Sequence, residues 1–128
     1  MDIEFFREYV LKKKCVTEGQ PFGEDVIVYK VLSKVFMMMN FETPFQISLK
    51  CDPEGAIELR ERYYAIRPAY HMNNKHWNMV DVDGSVSLKE ILEMIDNSYE
   101  LVVKKFTKKE VEKLKKLDEV KKLKKNNK

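Results

Sequence analysis

The sequence predicts an α+β fold: two layers in the order α-β(3)-α-β(2)-α, with an antiparallel sheet and an extra C-terminal helix. Three observations carry this expectation. Apolar residues at helical spacing open the chain (Ile3, Phe5, Phe6, Tyr9, Val10). Three β-like runs then follow with very short connections, which parallel strands, needing long crossovers, cannot use. Two N-cap signatures, Asp52-Pro53-Glu54 and Ser87-x-x-Glu90, mark where the chain leaves the sheet for a helix.

Taken in order, Asp2 caps a first helix that ends near the Lys12–Lys14 run. Gly19, Pro21 and Gly23 make 15–25 a loop. Strands are predicted at Val26–Leu32, Val35–Phe41 and Phe45–Lys50, with turns at Ser33-Lys34 and Glu42-Thr43-Pro44. Asp52 then accepts at the start of a helix whose Pro53 has no N–H to lose and whose Glu54 faces the positive end of the dipole. That helix runs to about Tyr64 and stops at Arg67-Pro68. Two further strands, Ala69–Met72 and Trp77–Val82, flank Asn73-Asn74-Lys75. Asp83-Gly84 turns the chain into a helix carrying Leu88, Ile91, Leu92 and Ile95, which Asn97-Ser98 interrupts before another helix through Leu101, Val102 and Phe106.

The 128 residues divide unevenly by charge. Residues 107–128 hold ten lysines against four acids, a net +6. Residues 1–106 hold 14 basic and 17 acidic residues, a net −3. The expected organisation is one domain over 1–106 and a lysine-rich tail over 107–128. In the tail, Val111, Leu114, Leu117, Val120 and Leu123 recur every three residues, so the apolar positions smear round a helix, and a frayed, solvated helix ending in disorder is favoured. No apolar run reaches 18 residues and Met1-Asp2-Ile3-Glu4 is no secretory leader, so a cytoplasmic monomer without membrane insertion is expected. Cys15 and Cys51 are then free thiols.

Asp81–Glu90 fits positions 3 to 12 of a calcium-binding loop, yet Met79 stands at the first ligand position, where a hard cation needs oxygen. A strand, a turn and a capped helix explain the same residues without metal. His71 and His76 lack cysteines at zinc-ligand spacing, and no base–nucleophile pairing or phosphate loop is legible. No catalytic residue, cofactor or metal is therefore expected. Met37-Met38-Met39 reads as a central core strand rather than a plastic groove. For His76 and Trp77 the favoured reading is an anchor between strand and helix. Its rival is a polar-aromatic surface of Tyr70, His71, Asn73, Asn74, Lys75, His76 and Trp77 that stacks on an extended ligand. Lys34 at a hairpin tip and Lys50 at a strand end read as solvated charges, with phosphate contact the rival reading, and Arg60 completes the basic set whose convergence would support that rival.

Thr17-Glu18…Pro21-Phe22-Gly23, Lys34-Val35-Phe36, Leu49-Lys50-Cys51, the block Tyr70–Asn78 and Ser98-Tyr99-x-Leu101-Val102 closely resemble the MmcQ/YjbR family of small bacterial proteins. The resemblance covers roughly 1–106. It implies the α-β(3)-α-β(2)-α fold, similar also to type III secretion chaperones, and a DNA-binding label that derives from a double-wing motif. A nucleic-acid-binding module, touching DNA or RNA through the lysine tail and the 70–77 block, is the first functional expectation. The alternative is a protein- or peptide-binding module of chaperone or adaptor type that uses the sheet face or edge.

Overall fold

The computed structural model describes residues 2–42, 45–70 and 72–126, and of 118–126 the backbone alone. Asp2 caps α1 (Ile3–Leu11), its carboxylate accepting the Phe5 N–H at 2.8 Å. Then come β1 (Val16–Gly19), β2 (Val26–Val31), β3 (Lys34–Asn40), β4 (Gln46–Lys50), α2 (Pro53–Arg62), β5 (Ile66–Pro68), β6 (Trp77–Asp81), α3 (Leu88–Lys104) and α4 (Lys108–Asn126). The strands form a single antiparallel sheet in the order β1-β2-β3-β4-β6-β5. The predicted α+β class with an antiparallel sheet is the fold observed.

Period-two alternation sorts each strand between two faces. On one face the register lines up Tyr29, Met37, Leu49 and Asn78, and beside them Ile27, Met39, Ile47, Val80 and Ile66. These rows meet Phe6 and Val10 of α1 and Ile91, Ile95, Tyr99 and Val102 of α3 in one core. Helix α2 joins them there, since Asn78 donates to the Ala56 carbonyl at 3.2 Å. All three helices therefore cover the same face, and among the described residues no helix lies against the second face. Met37 and Met39 are core as expected, whereas Met38 points to the uncovered side.

Four elements differ from expectation. Residues 16–19 pair with β2 as an edge strand, although Gly19 and Pro21 nearby read as loop. The turn between β2 and β3 is Leu32-Ser33, with Leu32 at φ 56°, a left-handed position that leucine rarely takes. The fifth strand is Ile66–Pro68 rather than Ala69–Met72. Pro68 is tolerated because it ends an edge strand, where no ladder N–H is required. Helix α3 runs unbroken through Asn97-Ser98, because Ile91, Ile95, Ser98, Tyr99 and Val102 form one continuous buried stripe. Tertiary burial overrides the weak helix propensity of Asn and Ser.

The tail is helical from Lys108 to Asn126. Thr107 and Glu110 open it with a reciprocal capping box (3.1 and 3.2 Å). Disorder is predicted at Asn126-Asn127-Lys128, whereas Asn126 is the last residue of the helix; residues 127–128 lie outside the described residues, as do Thr43 and Pro44 of the predicted turn and His71.

Candidate functional site

The acidic residues of the calcium-like stretch are engaged otherwise. Asp81 binds Arg67 at 2.7 Å and Gln46 at 3.0 Å, Asp83 accepts from the Ser85 N–H and hydroxyl, and the Ser87 hydroxyl caps α3. Those bonds from Ser85 hold the Asp83 carboxyl below its ordinary range. Among the described residues neither Cys15 nor Cys51 is in a disulfide, and burial pushes the Cys51 thiol up, with Asp52 adding to the effect, so it stays protonated at neutral pH.

The nine residues singled out by sequence part into three groups. The first is structural. Arg60 donates to Asn78 Oδ1 at 2.7 Å and to the Asn74 carbonyl, tying α2 to the loop before β6. Asn73 Oδ1 accepts the Lys75 N–H at 3.0 Å, and His76 is held by its backbone, donating to Asn73 and accepting from Cys51. Trp77 is 8% exposed and lies opposite Lys50 in the ladder, so it presents no open face for a base. The Lys75 side chain is exposed on this loop. His71 lies outside the described residues.

The second group is basic. Lys34 opens β3 beside the Leu32-Ser33 turn, Lys50 ends β4, and Lys105 caps α3. Ser98 lies two helical turns before Lys105, on the same face, and bonds to Lys50 and Phe36. That docking sets the end of α3 over the end of β4. Burial pushes the Lys50 ammonium below the ordinary lysine range, and the charges of Lys105 and Lys34 push it further. Helix α4 starts at the same end of the molecule. The Cys15 thiol lies 3.5 Å from the Leu114 carbonyl, and Lys113 and Leu117 face Leu32 and Ser33 across a cleft of about 530 Å³. Lys105, missed in the sequence, joins Lys34 and Lys50 because it follows Ser98 at i+7.

Tyr70 belongs to a third surface, on the uncovered sheet face. The register places Gly19, Val28, Met38, Ser48, Met79 and Arg67 in one row across all six strands. Its apolar middle is the floor of a groove of about 430 Å³. Phe22 and Tyr70 stand at the groove, 72% and 67% exposed. Leaving a Phe ring in water forgoes about 2 kcal/mol of burial, so rings displayed this way are usually held there by local structure. Here the loops do so. Gly23, at φ +113°, donates to the Gln20 carbonyl at 3.4 Å, and Gln20 Nε2 donates to Glu24. On the other side the Met72 N–H donates to Ala69, and the Asn74 amide, turned so that its nitrogen donates, reaches the carbonyls of Ala69 and Met72 at 2.9 and 3.2 Å.

Comparison with known proteins agrees with this architecture. A family model described as YjbR matches residues 11–101. The Escherichia coli O157:H7 protein named uncharacterized protein YbdF is 38% identical over 85 residues, 65% of this chain and 69% of its own. Uncharacterized protein YjbR of Escherichia coli K12 is 33% identical over 104 residues, 80% of this chain and 88% of its own. Among solved structures, a Deinococcus radiodurans protein with a DUF419 domain superposes with a TM-score of 0.81 at 37% identity, covering 88% of this chain and 86% of that one. A Pseudomonas syringae protein gives 0.69 at 28% identity, over 79% and 98%. The family model, the relatives and the superposed structures thus converge, and the chain belongs to the YjbR family.

Proposed function

We propose that this YjbR-family chain is a non-catalytic module that binds nucleic acid weakly, through its phosphates, at the lysine-rich end of the molecule. The observation that carries the reading is the convergence of Lys34, Lys50 and Lys105 where α4 begins. A net −3 over residues 1–106 argues against a basic domain as a whole, yet phosphate binding depends on local charge rather than the sum. The tail, whose helix begins at that end, carries a net +6 over residues 107–128. The stacking platform expected at 70–77 lends no support, because Trp77 is buried and Arg60 is committed to Asn78 and Asn74. Contacts are therefore to the backbone, with little sequence preference.

Neutralising about five phosphates gives log K a slope of about −4.5 against log salt. Fluorescence anisotropy of a labelled duplex, read across a salt series, tests this. Replacing Lys34, Lys50 and Lys105 by Gln in the full chain is expected to flatten the slope by about 2.7, at 0.9 per phosphate. Absence of binding at low salt, or a slope indifferent to the triple substitution, overturns the reading.

A further inference from the structure

We propose that the groove on the uncovered sheet face is a binding site for a small, neutral aromatic molecule, two or three rings in size and bearing one hydrogen-bonding group. This site is separate from the lysine-rich end and does not depend on it.

Size is the first argument. An enclosed apolar cavity of roughly 150 Å³ takes a benzene, and pockets for small ligands run from about 300 Å³ upward. The groove's 430 Å³ therefore suits a few rings. Charge is the second: among the described residues no Asp, Glu, Lys, Arg or His lines it. A charged ligand would leave water without a counter-charge there, so a neutral one is selected. The lining also points to aromatic chemistry, since Met38, Met72 and Met79 offer polarisable sulfur to a ring, and Phe22 and Tyr70 offer edges and faces.

The floor has a polar handle as well. The Ser48 hydroxyl has no hydrogen-bond partner among the described residues and sits between Met38 and Met79 in the row. One donor or acceptor on the ligand would satisfy it.

Macromolecular occupants fit less well. A stable protein interface covers about 800 Å² on each side. Beyond the groove this face turns polar, with Lys30, Gln46, Arg67 and Asp81, so its apolar area stops at the rim. Strand addition meets two short edges, four residues in β1 and three in β5, the latter ending in Pro68.

The test uses the full chain and N-phenylnaphthylamine, a neutral aromatic dye that brightens in apolar surroundings. Saturable binding of one dye per chain is expected, with a dissociation constant on the order of 10–100 μM. Phe22→Ala removes an exposed ring that the fold does not need and should weaken binding about tenfold. Met38→Glu places a charge on the floor and should abolish it, with circular dichroism confirming the fold. Substituting Lys34, Lys50 and Lys105 should leave it unchanged. A folded chain that takes up no dye, or takes it up equally after Phe22→Ala and Met38→Glu, overturns the proposal. So does a chain that refuses the dye but binds an extended apolar peptide in a Phe22-dependent way.

Discussion

The hydroxyl of Ser98 accepts the backbone N–H of Lys50 at 2.9 Å, while its own proton goes to the Phe36 carbonyl. Phe36 is the extra residue of a bulge: Tyr29 lies opposite Met37 and Lys30 opposite Val35, leaving Phe36 without a β2 partner. The bulge turns Phe36 into the core, where its ring meets Tyr99 edge-on at 5.4 Å. One small side chain in α3 thus serves the backbone of two strands and registers the helix on the sheet.

Ser98→Ala is expected to destabilise the fold by about 2 kcal/mol, since removing the hydroxyl strips a partner from both the Lys50 N–H and the Phe36 carbonyl. Urea unfolding followed by Trp77, the single tryptophan, measures this. A loss within the few tenths of a kcal/mol usual for surface changes would show that the two strands satisfy each other without the serine.

Arg7 on α1 grips Glu18 on edge strand β1, with Nε and Nη2 reaching the carboxylate at 2.7 to 3.1 Å. The hydrogen bonds from Arg7 hold the Glu18 pKa below its ordinary 4.5 despite some opposing burial. A depressed carboxylate pKa contributes stability above the unfolded value, which is lost as pH falls through the folded one. Acid stability is therefore expected to decline below pH 4.5 partly through this pair. Arg7→Met should remove that component and return the Glu18 titration, read by carboxyl NMR, towards its usual range.

The Tyr9 hydroxyl donates to Asp96 at 2.7 and 2.9 Å, and Lys13 binds the same carboxylate at 2.6 Å. Burial first, then the hydrogen bond and charge of Asp96, raise the Tyr9 pKa to about 12. Asp96→Asn is expected to lower it only part of the way to 10, because burial, the larger cause, stays. Spectrophotometric titration against a Tyr9→Phe reference resolves the change. A full return to the ordinary value would assign the shift to Asp96 alone.

Much of this fold was legible in the sequence where physics is local. The caps at Asp2, Asp52 and Ser87 and the pattern of β2, β3 and β4 all depend on residues within a few positions of one another. The misreadings share the opposite cause. Edge strand β1 exists because Glu18 lies opposite Tyr29 and under Arg7, not because Val16–Gly19 favours a strand. Leu32 occupies a left-handed turn position that hairpin geometry demands and its side chain resists. Asn97-Ser98 looks like a break until Ser98 is seen bonded to two strands.

The candidate sites follow the same division. Tyr70 and the Pro21-Phe22-Gly23 turn stand out in the sequence, yet they are 47 or more residues apart and meet across a sheet face. Lys34 and Lys50 are unremarkable until α3 brings Lys105 beside them.

From sequence alone came the family, the α+β class, the order of most elements and the uneven placement of charge. The family rests on the resemblance of matched sequence blocks, and the rest is written in spacing, capping and composition, which need no knowledge of distant neighbours. Tertiary structure decided which face of the alternating strands the helices cover, and so sent Met37 and Met39 into the core and Met38 into the groove. It decided that Trp77 is wall rather than platform, and that three lysines share one end. Alternation distinguishes the two faces of a strand, but which of them meets a helix depends on register and docking between residues far apart in the chain.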